Sequence, residues 1–385
     1  MNILYIMRFW PVYGGGETIT ATLSNALVKK GHSVHIAYQY ECNRDPMPYS
    51  IDDKIRQFKT PTSGYFKSED VRKLHDYIVL HNIDVMINQW GDAVLCDKAR
   101  KDTKCKLVTC WHLNVIIPST TNGVKRKLLR RLLGQSLYDK YDRKKQIQSH
   151  LRNFEHSDMY VFLSDSFRSE FCNIAGITFP TDKLGSISNP LTYHFKYDMA
   201  NYPKKKKQVL FVGRIFEYHK RLSYVLKVWQ MVEKEDLYDE WNLVIVGDGP
   251  DMENTKRLAE NLCLRRISFA GFQNPRSFYE ESSVFVMTSS LEGFGMTLVE
   301  AQQYACVPMA MDTYSSLHDI ITDGENGIIV PDNALTLYGS KLMELMSNQK
   351  LREQLALNGL ETSRKFEVEN IATQWENLFK KIKIQ

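Results

Sequence analysis

Glu292 and Glu300 stand at the two ends of the stretch E-G-F-G-M-T-L-V-E. The run before them, Val284 to Met287, is apolar and β-branched and reads as a buried strand. Thr288 to Gly295 is a polar turn in which Gly293 and Gly295 supply backbone freedom. Met296 to Ala305 then reads as a helix and Cys306 to Met311 as the next strand. A strand, a glycine turn and a helix start together make an anion site, because the first helical N–H groups have no partner inside the helix. Carboxylates beside such a site repel phosphate. They suit hydroxyls, those of a ribose, a sugar ring or both.

A second pair carries the opposite charge. Arg214 and Lys220 straddle a loop after the strand-like run V-L-F-V-G. An arginine fork and a lysine point charge at a strand end suit a diphosphate, although lone surface cations are the commoner fate of both types. Their company favours the ligand, since Gly213, Gly247, Gly249, Gly271, Gly293 and Gly295 all fall at strand ends of the same half. Neither G-x-x-x-x-G-K-[ST] nor a nearby D-x-D is present. A P-loop hydrolase is thereby set aside. The positive charge is expected from Arg214, Lys220 and the helix dipole, with no metal.

These groups need two sets of elements to hold them. Asn2 to Phe9 reads as a strand, W-P-V-Y-G-G-G-E-T as a glycine turn, Ile19 to Lys30 as a helix stopped by Gly31, and Ser33 to Tyr40 as a second strand. The G-x-G-x-x-G fingerprint is missing. Gly14, Gly15 and Gly16 serve either a plain tight turn or a ligand-facing loop, and three in a row at a helix start favour the loop. Further strands are expected at Asp84 to Asn88, Leu107 to Cys110 and Met159 to Leu163. His112, in C-W-H-L-N, follows one of them, and a structural and a functional role both stand for it. Tyr202 to Gln208 reads as an exposed linker. A second α/β half follows, with strands at Leu243 to Val246, Ile267 to Ala270 (ending in Gly271-Phe272) and Gly327 to Val330. The pattern implies two doubly wound sheets. Phe366 to Lys381 is a last amphipathic helix, with Ile371, Trp375, Leu378 and Phe379 on one face.

A chain of 385 residues is ample for two domains. No apolar run nears the roughly 20 residues of a spanning helix. The start does not read as a signal peptide, and seven scattered cysteines without a C-x-x-C pair read as reduced thiols of a cytoplasmic protein. Residues 1–200 carry 28 Lys+Arg against 20 Asp+Glu, and the window 125–152 alone holds ten basic and two acidic residues. Val124, Leu128, Leu129, Leu132, Leu133 and Leu137 recur there at helical spacing among Lys125, Arg126, Lys127, Arg130 and Arg131. This basic amphipathic helix has two standing readings: packing on its own domain, or lying on the anionic inner face of the cytoplasmic membrane. Nucleic acid is set aside, because the segment lacks stacking aromatics and any known module.

Taken together, these motifs resemble the retaining glycosyltransferases of family 4, which have the GT-B fold. The likeness runs over nearly the whole chain: G-G-G-E-T at Gly14 to Thr18, S-D-S-F-R at Ser164 to Arg168, I-S-N-P at Ile187 to Pro190, V-G-R with Lys220, V-G-D-G-P, the E-x7-E pair, and D-G-E-N-G at Asp323 to Gly327. The resemblance implies two Rossmann-like domains facing a central cleft, with the last helix crossing back to the first domain. We expect an acceptor-binding domain over 1–200, a nucleotide-sugar domain over 201–365 and the crossover helix over 366–385. It implies that Arg214 and Lys220 hold the donor diphosphate, beside Gly213 and the backbone of Gly293, Phe294, Gly295, Met296 and Thr297. Glu300 takes the ribose, Glu292 and His112 the transferred sugar, Phe272 joins the donor site, and Gly14 to Gly16 close over the donor. The donor is a UDP- or GDP-sugar with no tightly bound cofactor, and the acceptor is a glycan, with a lipid carrier as one form of it. A non-catalytic scaffold subunit and a nucleotide-sugar epimerase are the alternatives. Arg221 departs from the family pattern, where glycine is common. It either adds a phosphate contact or extends the helix.

Overall fold

The computed structural model describes residues 1–384 apart from 13, 43–48, 61–67, 90–91, 118–123, 179–181 and 194, and the side chains of 124–127 and 383–384 are also outside the description. The chain divides into two compact units. The first comprises Met1–Thr192 with Val368–Gln385, the second Tyr193–Glu367.

The first unit is built on β1 (Asn2–Trp10), β2 (Ser33–Glu41), β3 (Arg56–Lys59), β4 (Val85–Asn88), β5 (Lys106–Trp111), β6 (Met159–Phe162) and β7 (Leu184–Ser186). They form one parallel sheet in the order β3-β2-β1-β4-β5-β6-β7. All four residues of β4 and of β6 are buried, as expected for parallel strands covered on both faces. The last helix, Val368–Ile384, belongs to this unit. Its Ile371, Trp375, Phe379 and Ile382 share a core with Leu23 and Leu27 of helix Gly15–Lys29. That apolar stripe is the one expected from the sequence.

The second unit holds β8 (Lys206–Val212), β9 (Asn242–Val246), β10 (Ile267–Gly271), β11 (Ser282–Met287), β12 (Val307–Asp312) and β13 (Ile328–Pro331). Their order is β10-β9-β8-β11-β12-β13, again parallel. In both sheets the winding direction reverses once, between β1 and β4 and between β8 and β11. Open parallel sheets bind ligands outside the carboxyl ends of the strands at such a reversal.

Three expectations need correction. The stretch 202–208 is no exposed linker. Tyr202 is buried within a short 3-10 turn, and β8 already begins at Lys206. Lys205 donates to the carbonyls of Tyr279, Glu280 and Ser282 at 3.1, 3.1 and 2.7 Å, closing the end of helix Arg276–Glu281. Burial brings its pKa down to about 8. The basic segment is not one helix either. Gly134, at φ +73°, breaks it into Val124–Leu133 and Gln135–His156, because a left-handed residue cannot continue a right-handed helix. Finally, the glycine run is less loop than expected: Gly14 caps helix Gly15–Lys29, and Gly15 and Gly16 form its first turn.

Packing accounts for only part of the basic segment. Tyr138 and His150 are buried, whereas Leu128, Leu132, Leu133, Leu137 and Tyr141 are exposed, Leu132 by 74%. The side chains of Val124, Lys125, Arg126 and Lys127 lie outside the described residues. No helix among the described residues is long and apolar enough to cross a membrane.

Candidate active site

The two strands that flank the reversal in the second sheet carry the two charged loops. Gly213 and Arg214 follow β8, and Thr288 to Gly295 follow β11. Close backbone contact fixes the first loop. Gly213 N donates to Val246 O at 3.0 Å and Ile215 N to Asp248 O at 2.9 Å. A Cβ on Gly247, whose φ is +138°, would stand 1.9 Å from Gly213 O, and one on Gly249 would stand 2.2 Å from Ile215 O. Glycine is needed at both positions so that two backbones can touch. These two glycines therefore serve packing.

The turn Glu217–Lys220 then brings Lys220 back over the sheet, and a Cβ on Gly213 would lie 3.5 Å from Lys220 Cε. Lys220 Nζ meets Glu292 Oε1 in an ion pair, with the two side chains only 18% and 11% exposed. Such shielding removes most of the screening that weakens surface pairs. The β11 loop braces this turn. Thr288 Oγ1 donates to Lys220 O and Arg221 O at 3.1 and 3.0 Å, Ser290 N to His219 O at 2.7 Å, and Ser290 Oγ to Tyr218 O at 2.7 Å. Arg214 is exposed, its guanidinium 5.8 Å over the Phe216 ring.

Arg221 has neither of its two expected roles. Its backbone is left-handed, φ +46°, so it separates two helices instead of extending one. Its side chain turns to protein acceptors: Nε to Thr288 O at 2.7 Å, Nη2 to Ser289 O at 3.3 Å and Nη1 to Asp332 Oδ1 at 2.7 Å. A positive φ is the conformation that glycine adopts most readily. Here the guanidinium ties three strand-end loops together.

Helix Met296–Gln303 opens beside the pair. Gly295 caps it at φ +103°, where a Cβ would come within 2.6 Å of the Tyr314 hydroxyl. No side chain caps the helix start, and Met296 and Thr297 are half-exposed. Phe294 is buried against Phe366, ring centroids 5.6 Å apart, so only its backbone can face a ligand. Gly293 beside it is half-buried.

Glu300, on the same helix, accepts a 3.0 Å hydrogen bond from the fully buried Tyr279 hydroxyl. Desolvation pushes the Glu300 carboxyl up to about 7. Tyr279 stacks on Tyr304, with centroids 6.0 Å apart and planes within 9°. Phe272 follows β10 and is 64% exposed. Tyr279 and Lys205 are not legible in the sequence, because each owes its place to partners 21 or more residues away, and neither is His219, whose carbonyl accepts from Ser290 N at 2.7 Å. His219 packs on Phe216, centroids 4.8 Å apart. Burial, then Lys220, and less strongly Arg214, lower its pKa, while Glu292 opposes them.

In the first unit, Gln89 and His112 follow the adjacent strands β4 and β5. Gln89 Oε1 contacts His112 Nε2, and burial brings the imidazole down to about 4, so it is neutral at pH 7. Gly14 to Gly16 lie just beyond β1, across the reversal from β4. Among the described residues no cluster of three or more His, Cys, Asp or Glu could hold a metal ion.

Two doubly wound parallel sheets, with a shielded Lys220–Glu292 ion pair at the reversal of the second, define a fold of two Rossmann-like units. The chain's sequence matches the family model Glycosyltransferase Family 4 over residues 13–192 and Glycosyl transferases group 1 over residues 198–362. It belongs to glycosyltransferase family 4, with the GT-B fold. It is 26% identical to the amylovoran biosynthesis glycosyltransferase AmsD of Erwinia amylovora, over 95% of each chain. It is 24% identical to a lipopolysaccharide 1,6-galactosyltransferase of Salmonella typhimurium, over 91% of this chain and 90% of that one. The fold matches that of S. aureus TarM in complex with Fondaparinux, alpha-GlcNAc-glycerol and UDP, at a TM-score of 0.74 and 15% identity, over 98% of this chain and 100% of TarM.

Proposed function

We propose that the protein transfers a sugar, with retention of anomeric configuration and without a metal ion, from a nucleoside-diphosphate sugar to a glycan acceptor of cell-surface polysaccharide synthesis. The observation that carries this reading is the meeting of Lys220 and Glu292 at the β8–β11 reversal, beside the uncapped start of helix Met296–Gln303. Lys220, Arg214 and the amides of Met296 and Thr297 supply the positive charge for a diphosphate. Glu300, held by Tyr279, accepts the ribose hydroxyls. Family resemblance supports a donor-binding role for Phe272, exposed at a strand end, and for His112, Gly14, Gly15 and Gly16. UDP in the TarM complex favours a UDP-sugar.

The step breaks the bond from the anomeric carbon to the leaving phosphate and forms one to the acceptor oxygen on the same face. The acceptor proton passes to the leaving phosphate oxygen. Lys220 and Arg214 stabilise the charge that grows there. Neither a glutamate nucleophile nor a protein base is required. No observation favours the scaffold or epimerase alternatives.

Calorimetric titration with UDP- and GDP-sugars tests the donor. One of them should bind, and its affinity should depend on pH with a definite sign. Ribose hydroxyls donate to the ionised Glu300, whose pKa near 7 leaves it mostly protonated in the free protein at pH 6. Affinity is therefore about tenfold weaker at pH 6 than at pH 8. The diphosphate diester of a sugar nucleotide does not titrate in that range. A flat profile, or one rising towards acid, rejects the role of Glu300. The absence of any sugar-nucleotide binding rejects the function.

The acceptor is proposed to sit at a membrane, met by the basic helices Val124–Leu133 and Gln135–His156. The exposed Leu128, Leu132 and Leu137 among Arg130, Arg131, Lys144 and Lys145 support this. Reversing Lys125, Arg126, Arg130 and Arg131 to glutamate should weaken binding to vesicles rich in phosphatidylglycerol by about 1,000-fold or more, at about 1 kcal/mol per charge near the surface. Equal co-sedimentation of both proteins removes the membrane from the picture.

A further inference from the structure

We infer that the Lys220–Glu292 pair discriminates between the intact sugar donor and the spent nucleoside diphosphate. The inference rests on the donor reading above and adds a second task for the same two residues.

The cation proposed for the diphosphate is already engaged within the protein. Its partner is the carboxylate meant for the sugar, and both side chains are largely withdrawn from water. The surrounding loops hold the backbones of the two residues within reach of one another. Arg221 clasps Thr288 O, Ser289 O and Asp332, and Thr288 Oγ1 holds the backbone carbonyl of Lys220. The β8 and β11 loops therefore cannot drift apart to relieve the contact. Arg221 acts here as a positioning residue.

A diphosphate that takes Lys220 must displace Glu292. A displaced carboxylate in a largely dry site keeps its desolvation cost and loses its counter-charge. It also stands close to two phosphates of its own sign. With an intact donor, sugar hydroxyls can donate to Glu292 and offset that loss. With a spent nucleoside diphosphate there is no sugar, and the loss stands. The same carboxylate therefore favours one ligand and opposes the other, the combination by which specificity is built from an attractive and a repulsive element. The functional result is faster product release and weaker product inhibition.

The test compares Kd values for UDP, GDP and their glucose and N-acetylglucosamine conjugates, in the wild type, Glu292→Gln and Glu292→Asp. The wild type should bind one sugar nucleotide more tightly than its nucleoside diphosphate. Glu292→Gln, which keeps the shape and removes the charge, should bind the nucleoside diphosphate about fivefold more tightly than the wild type, and the sugar nucleotide more weakly. The preference for the sugar nucleotide then falls by more than about fivefold. Glu292→Asp keeps the charge and should retain the wild-type order. Inhibition of transfer by UDP or GDP should deepen in Glu292→Gln by the same factor. If Glu292→Gln, folded by its melting temperature, binds nucleoside diphosphate no more tightly than the wild type, the discriminator is refuted while the donor site stands. If the wild type binds no nucleotide of either kind, the functional reading falls and takes the discriminator with it.

Discussion

Lys220→Ala should lower the rate of sugar transfer by about 10²–10³-fold, the usual cost of removing one preorganised group from a site of developing charge. Two effects act in the same direction. The leaving diphosphate loses a cation held in a shielded loop, where a charge interacts more strongly than in water. Glu292, no longer paired, then stands as a lone carboxylate beside the phosphates. Stability should change far less, because Arg221, Thr288 and Ser290 hold the turn through its backbone and not through the lysine side chain. Single-turnover transfer with a matched melting curve checks both halves. Near wild-type turnover would remove Lys220 from the mechanism.

The second large effect is one of stability. Gly247→Ala should destabilise the second unit by more than about 4 kcal/mol, well beyond an ordinary substitution. The new Cβ would sit 1.9 Å from Gly213 O and 2.9 Å from Gly213 C, and the backbone at φ +138° already excludes side chains. Neither partner can retreat cheaply. Gly213 N is bound to Val246 O at 3.0 Å and Gly247 N to Gly271 O at 2.8 Å, so movement breaks the ends of three strands. Gly15→Ala provides the contrast. No atom lies within 4 Å of its added Cβ, and the position is helical, so stability should stay level or rise by up to about 1 kcal/mol. Urea unfolding of the two variants measures the difference. Equal midpoints would mean that the β8 and β9 loops are not locked as described.

The contrast between those glycines shows what the sequence could reveal. The apolar, β-branched runs of β4, β6 and β11 announced themselves because parallel strands are buried on both faces. The stripe on the last helix was equally plain. Two edge strands were not foreseen. β3, R-Q-F-K, is mostly exposed and charged, as edges tend to be, and β7 spans three residues. The Glu292, Glu300, Arg214 and Lys220 constellation could be read because residue type and strand-end position pointed to the same chemistry. The ion pair between two of them, 72 positions apart, could not. Lys205 looked like one more cation in K-K-K-K, and its burial depends on carbonyls more than 70 residues away. The left-handed backbone of Arg221, which decides where its side chain goes, is invisible in a string of letters.

The last helix has a consequence for how the chain is made. Val368–Ile384 completes the core begun by the first residues, so the first unit is interrupted in sequence by the whole of the second. A ribosome delivers the second unit as one continuous piece, free to fold on emergence. The first must hold Leu23, Ala26 and Leu27 without their cover until the final turns arrive. At translation rates of about 5–20 residues per second that interval is roughly 10–35 s. Throughout it, the nascent chain presents an apolar groove that chaperones bind and that other nascent chains can join.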